Sequence, residues 1–166
     1  MPTWWGGKIR QALRYAGATV PPGEREQLIR QEGLTPLQQA LFDTMHVADQ
    51  RHGLDVLALL RREGQTDSDL LLAGLFHDAA KGPRVGLVAR VTWSLGEQYG
   101  PWAWRCAALL PGVSEAFDRL RHHADRSALA ALQAGCSATT ADLIRHQAQP
   151  RDGAAGIALR RADEAC

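Results

Sequence analysis

The sequence contains little cysteine, few aromatic residues and no excess of charge of either sign. Its three cysteines are an odd number and form no CxxC pair, so they cannot close a complete set of intramolecular disulfides. We therefore expect a reducing compartment, the cytoplasm. The 19 Lys and Arg residues nearly balance the 18 Asp and Glu residues. A dedicated nucleic-acid binder needs a clear excess of Lys and Arg, so this balance argues against nucleic acid and for a small substrate.

Long hydrophobic runs are also absent. Residues 1–20 contain no continuous apolar segment, and no stretch of about 18 apolar residues occurs anywhere in the chain. We therefore expect neither an export signal nor a membrane span.

The hydrophobic residues that are present, 45% of the chain, recur with the period of a helix. No strand-length window alternates apolar and polar residues, so the sequence predicts an all-α fold, a compact helical bundle. A chain of 166 residues can bury one core, and no linker divides it. We expect residues 1–34 to form an N-terminal extension that packs on a domain of residues 35–166. The sequence leaves open whether the protein is a homo-oligomer.

Two of the predicted helices matter most for function. One long helix begins near Thr35 and turns four apolar residues inward, Leu37, Leu41, Met45 and Ala48. A bend of this helix before His52 is left open. The other, LLLAGLFHDAAK, follows a turn at residues 64–68 and continues until Gly82 stops it. Its apolar character predicts a central position in the fold.

His77 and Asp78 are adjacent ionisable residues inside that apolar helix, where each needs a partner to offset its loss of hydration. A metal ion is one such partner. Adjacent residues point about 100° apart on a helix, so a ring nitrogen and a carboxylate oxygen can converge on an ion beside it. A hydrogen-bonded structural pair is the alternative.

A third candidate ligand, His52, shares a helical stripe with Val56, Leu59 and Leu60, which turns its ring toward the core. His46 is the competitor, but it lies about 240° around the helix from His52. We interpret His46 as a surface or packing histidine.

The segments RHGLDV, FHDAAKG and LRRADEA together resemble the H…HD…D signature of HD-domain metal-dependent phosphohydrolases. The resemblance covers residues 35–165 and implies an HD-type helical domain. It also implies a divalent transition metal held by four ligands, His52, His77, Asp78 and Asp163. Their nitrogen and oxygen donors suit Mn, Fe, Co or Ni, with Mg as a further option. The alternative for Asp163 is an ion pair with Arg160 at i−3.

Two further segments, RHHADRSA and LIRHQ, resemble the later histidine-containing segments of HD proteins that hold two metal ions. They map to His123 and His146, and with these donors a dinuclear site is preferred over a mononuclear one. The second residue of the later pair is Gln147 here. Asp142 suits an exposed carboxylate in the first turn of a short helix and is left out of the predicted site, as is His122 on a solvated face.

Several other side chains are candidates for substrate binding. Lys81 lies one predicted turn beyond His77, so its ammonium could meet a phosphate held by the metal; a structural cation at the helix end is the alternative. Arg51 and Arg145, each beside a proposed ligand, are further candidates for binding phosphate. Four aromatic residues are expected to pack the core, with stacking on a base as the alternative: Trp93, Tyr99, Trp102 and Trp104.

The resemblance implies hydrolysis of a phosphate ester or anhydride, with a nucleotide as the expected substrate and with Asp78 and Lys81 as the candidate catalytic residues. Two alternatives stay open. The same donor set also resembles the HD-fold di-iron oxygenases. The other alternative is a non-catalytic binding module, for a metal, a nucleotide or a membrane surface, because aromatic and basic residues cluster near the N-terminus, at Trp4, Trp5, Lys8, Arg10 and Arg14.

Overall fold

The computed structural model describes residues 17–82, 92–93, 95–96, 100, 104, 113–151 and 153–166. All regular secondary structure in these residues is helical, which confirms the predicted all-α fold. None of the described helices is long and apolar enough to span a membrane. The helices whose bounds are described are α1 (Pro22–Glu32), α2 (Pro36–Thr44), α3 (Val47–Arg62), α4 (Ser68–Phe76), α5 (Val113–Arg121), α6 (His123–Gln133), α7 (Ala138–Arg145) and α8 (Gly153–Ala165).

Side-chain caps explain where several helices begin. α2 follows Thr35, whose hydroxyl accepts a hydrogen bond from the Gln38 N–H at 3.3 Å, while the Gln38 side chain accepts one from the Thr35 N–H at 3.0 Å. α4 is capped by Asp67 and α7 by Ser137. Each cap offers a side-chain oxygen to N–H groups of the first turn, which have no partner within the helix.

The sequence predicts one long helix where the structure has two, α2 and α3. The backbone is extended at Met45 and His46, between them. His46 caps α3, because its Nδ1 accepts a hydrogen bond from the Ala48 N–H at 3.1 Å, and the Gln50 amide donates to the Met45 carbonyl at 3.3 Å. A single inward stripe therefore does not continue across the break. Met45 and Ala48 are buried as predicted, whereas Leu37 is 61% exposed, so its predicted inward orientation is wrong.

α4 lies at the centre of the fold and packs against α3, α7 and α8. α3 approaches it so closely that a Cβ on Gly53 would lie 2.5 Å from the Leu75 carbonyl oxygen. The approach is possible only because residue 53 has no side chain. It sets the separation of the neighbouring residues His52 and His77, whose ring centroids are 5.1 Å apart.

The region predicted to be an N-terminal extension contributes to the core where it is described. Leu28 of α1 and the following Leu34 are buried in the main hydrophobic cluster. α1 also forms ion pairs with α2 and α3, which are Arg25–Asp43, Glu24–Arg51 and Glu32–Arg61. Residues 1–16, which include the basic and aromatic N-terminal cluster of the sequence, lie outside the described residues.

A second, smaller hydrophobic cluster surrounds α5. Trp93 stacks on Trp104 with ring centroids 5.0 Å apart and meets the edge of Phe117 at 5.6 Å. The Trp104 indole N–H donates to the Trp93 carbonyl at 3.1 Å. Both tryptophans therefore pack against protein, while Tyr99 and Trp102 lie outside the described residues.

Candidate metal centre

The His77–Asp78 pair lies just beyond the end of α4. The predicted helix through Lys81 is shorter than expected, because α4 ends at Phe76. Residues 77–81, which we call the HD turn, continue as tight turns in which the Lys81 N–H donates to the Asp78 carbonyl at 3.1 Å. The side chains at these two positions therefore meet, and the Lys81 ammonium donates to Asp78 Oδ2.

Three elements bring a cluster of donors together. His52 comes from the middle of α3, His77 from the end of α4 and Asp163 from α8. Asp163 Oδ1 is 2.8 Å from His52 Nε2 and 3.3 Å from His77 Nε2. One ligand atom from each of these residues lies within 4.8 Å of the others, a spacing that can hold one metal ion.

Two polar atoms at this cluster are buried without a hydrogen-bond partner, His77 Nε2 and Asp78 Oδ1. The other ring nitrogen of His77 donates to the Gly74 carbonyl at 2.9 Å, which directs Nε2 toward the carboxylates. A buried polar atom without a partner costs about 1–3 kcal/mol. A cation that replaces the Nε2 proton of His77 would satisfy both atoms, so the residues present fit a metal ion.

The ionisable groups of the cluster shift one another's pKa values. Burial alone would lower the pKa of His77, but the Asp78 and Asp163 carboxylates outweigh it and raise that pKa to about 9. Burial would likewise raise the pKa of both carboxyl groups, yet their neighbours hold both pKa values below the usual range: Lys81 and His77 act on Asp78, and His77 and the His52 hydrogen bond act on Asp163. Both carboxylates are therefore charged and attract a cation.

Accessibility differs across the cluster. The side chains of His77 and Asp78 are almost fully buried, whereas His52 and Asp163 are partly exposed. The cluster therefore combines two buried side chains with two that solvent can reach.

His123 begins α6 and lies beside Asp78. Its Nδ1–H donates to the Leu120 carbonyl at 2.6 Å, and its Nε2 is 3.7 Å from Asp78 Oδ1. Burial and the Lys81 ammonium lower the pKa of His123, which favours the neutral ring. The structure therefore brings His123 to the edge of the cluster, next to Asp78.

His146 is not one of the donors that lie close enough together to share a metal ion. It caps the C-terminus of α7, and its Nδ1–H donates to the Asp142 carbonyl of the same helix at 3.0 Å. Asp142 is exposed and pairs with Arg145 at 2.7 Å, in line with its omission from the predicted site.

Two polar residues beside the cluster were not predicted to be part of the site. Gln147 is only 6% exposed and donates to the His77 carbonyl at 3.3 Å. Ser127 Oγ accepts a hydrogen bond from the Ala80 N–H at 2.9 Å. These contacts satisfy backbone groups of the HD turn that a longer α4 would have used itself. The only sequence signal for Ser127 is its position one helical turn after His123.

The arginines predicted to bind phosphate are engaged elsewhere. Arg51 pairs with Glu24 and Asp55, and Arg145 pairs with acidic residues of α6 and α7. A different arginine, Arg119, lies next to Gly82, just after the HD turn: a Cβ on Gly82 would be 3.2 Å from its Nη1. The Arg119 guanidinium also pairs with Glu115 at 3.2 Å. Its Nε is buried without a hydrogen-bond partner.

No protein-family model, curated protein or solved structure matches this chain.

Proposed function

We propose that this protein is a metal-dependent phosphohydrolase that cleaves a phosphate ester or anhydride of a small compound, with nucleotides as the expected class. The observation that carries the proposal is the convergence of His52, His77 and Asp163 beside the buried, unpartnered oxygen of Asp78. The resemblance of these segments to HD-domain phosphohydrolases supports the same class of reaction.

The ligands of the proposed metal are the four residues of the cluster, His52, His77, Asp78 and Asp163. Two imidazole nitrogens and two carboxylates favour an intermediate first-row ion such as Mn, Fe, Co or Ni. When bound, such an ion lowers the pKa of a coordinated water and neutralises charge on the phosphoryl oxygens.

One cation beside the cluster, Lys81, suits a phosphorylated substrate. The Lys81 ammonium has three N–H donors, of which Asp78 engages one, so two remain for phosphate oxygens. Arg119 lies next to Gly82, just after the HD turn, but its guanidinium is already paired with Glu115 at 3.2 Å. Hydrolysis joins a water oxygen to phosphorus and breaks the bond to the leaving oxygen, and the Lys81 ammonium would stabilise the charge that the phosphoryl group carries.

Metal content and phosphate release together test the proposal. Purified protein should contain a transition metal, and with Mn²⁺ or Co²⁺ under anaerobic conditions it should release phosphate from members of a nucleotide panel. Asp163→Asn should lose both the metal and the activity, because it removes the charge of a proposed metal ligand that contacts both histidines. Asp142→Asn is the matched control, since this carboxylate is exposed and pairs with Arg145.

The proposal is wrong if Asp163→Asn keeps the metal content and activity of the wild type. Oxygen consumption by an iron-loaded protein that releases no phosphate would instead identify the oxygenase alternative.

A further inference from the structure

Asp78 and His123 lie next to each other at the edge of the cluster. Asp78 Oδ1 and His123 Nε2 are 3.7 Å apart, so a second ion beside the first would have to bind between them or next to them. Whether a second ion can bind there depends on which groups already contact the Asp78 and His123 side chains.

Asp78 is already paired with a cation of the protein itself. Its Oδ2 accepts from the Lys81 ammonium, and its side chain is 3% exposed. A divalent ion on this side would lie close to the ammonium charge, in a buried setting where water screens little of the repulsion.

His123 has only one nitrogen that could bind a metal. Its Nδ1–H is engaged by the Leu120 carbonyl, which leaves the lone pair of Nε2. The Gln147 amide nitrogen lies 3.4 Å from this Nε2 and 3.3 Å from the His77 carbonyl oxygen. A carbonyl oxygen can only accept, so the amide presents its NH₂ group here, with one hydrogen for each partner. The Nε2 lone pair is therefore directed at an N–H donor.

We propose that this centre binds a single divalent ion, on His52, His77, Asp78 and Asp163, and that the Lys81 ammonium and the Gln147 amide occupy the second cation position. The inference rests on the proposed function, because it presupposes the first metal site. His146, at the C-terminus of α7, is not one of the clustered donors. Lys81 then provides beside Asp78 the positive charge that a second ion would otherwise supply.

Metal stoichiometry tests this inference without any substrate. Metal-free protein is titrated with Mn²⁺ by calorimetry, and the bound metal is measured by elemental analysis after gel filtration. We expect the wild type to bind one ion per chain, and His123→Ala to bind one as well.

Two variants test which groups exclude the second ion. Gln147→Glu replaces an N–H donor by a carboxylate of nearly the same shape beside His123, and Lys81→Met removes the ammonium from Asp78. The double variant should bind two ions per chain. Gln149→Glu, which makes the same charge change at an exposed residue two positions later, should still bind one.

The outcomes separate this inference from the function on which it rests. A wild type that binds two ions, one of which His123→Ala removes, overturns the single-ion centre and leaves the hydrolase proposal standing. A folded double variant that still binds one ion overturns the roles of Lys81 and Gln147. A wild type that binds no ion overturns the metal centre itself.

Discussion

At the scale of the residue, Asp78 shows how one buried carboxylate is shared between partners. Its Oδ2 accepts from the Lys81 ammonium, whereas its Oδ1 is buried without a hydrogen bond and faces His123. Burying a carboxylate is costly unless it is paired, so Lys81 keeps Asp78 ionised. The predicted alternative for Lys81, a cation that only caps the helix, does not describe this contact, because its partner is the Asp78 side chain.

Lys81→Met should lower kcat/KM for a phosphorylated substrate tenfold or more, which corresponds to about 1.4 kcal/mol of transition-state stabilisation. The reason is that the ammonium would no longer neutralise charge on the phosphoryl oxygens, while the tightly bound ion should remain. Steady-state kinetics combined with elemental analysis provide the measurement. Arg62→Met removes an exposed cation at the end of α3 and should leave the kinetics unchanged. Wild-type kinetics in Lys81→Met would limit Lys81 to a structural role.

At the scale of the element, the cluster depends on how closely α3 approaches α4 and on how the HD turn is held. The close approach occurs at Gly53, beside His52. The HD turn is anchored by Ser127 of α6 and by Gln147 just after α7, which bond the backbone of Ala80 and His77. Neighbouring helices thus hold the backbone that carries His77 and Asp78, which limits the freedom of the proposed ligands before any ion binds.

Gly53→Ala should destabilise the protein by about 1–3 kcal/mol, because the new Cβ would collide with the Leu75 backbone and force α3 away from α4. Mn²⁺ affinity should fall as well, since His52 would move with the helix. Urea unfolding and a metal titration measure the two effects. Gly23→Ala in α1 is the matched control, because a Cβ there meets nothing within 4 Å.

The control should become slightly more stable, by roughly 0.5–1 kcal/mol, since alanine favours a helix more than glycine does. An equal gain in stability for Gly53→Ala would show that the two helices do not need their close contact.

At the scale of the whole molecule, α1 is joined to α2 and α3 by core packing and by ion pairs. Leu28 contributes to the main core, and ion pairs tie the surface of α1 to the neighbouring helices. One of these, Arg25–Asp43, joins two partly exposed side chains. The Arg25 guanidinium hydrogen bonds hold the pKa of Asp43 below its usual value.

Asp43→Asn should lower the free energy of unfolding by about 0.2–1 kcal/mol at pH 7, the usual range for exposed pairs. Because the pKa of Asp43 is lower in the folded state, its contribution is present above the unfolded pKa of about 4 and is lost as the pH falls through the folded value. The difference between variant and wild type should therefore shrink at pH 3. Urea unfolding at both values measures it, and a difference that grows toward low pH would contradict the assigned ion pair.

The helical class and several local features follow from sequence alone, because they depend on residues within one or two turns. The helical period predicted the all-α fold, and the apolar run before His77 predicted a helix that the structure places at the centre. The sequence also placed His52 on the inner side of its helix. A hydrophobic stripe identifies the buried face of a helix without knowledge of its neighbours.

Tertiary structure alone decided which distant groups meet. Asp163 lies 111 residues from His52 in the sequence, yet its carboxylate bonds that ring because α8 packs on α3. At the end of α7, His146 bonds its own helix while Gln147 reaches the HD turn. Past the last turn of a helix the periodicity no longer fixes which side chain points inward, and contacts with other elements settle the direction. Local sequence therefore determined the helices and their inner faces, whereas packing determined the final set of side chains around Asp78.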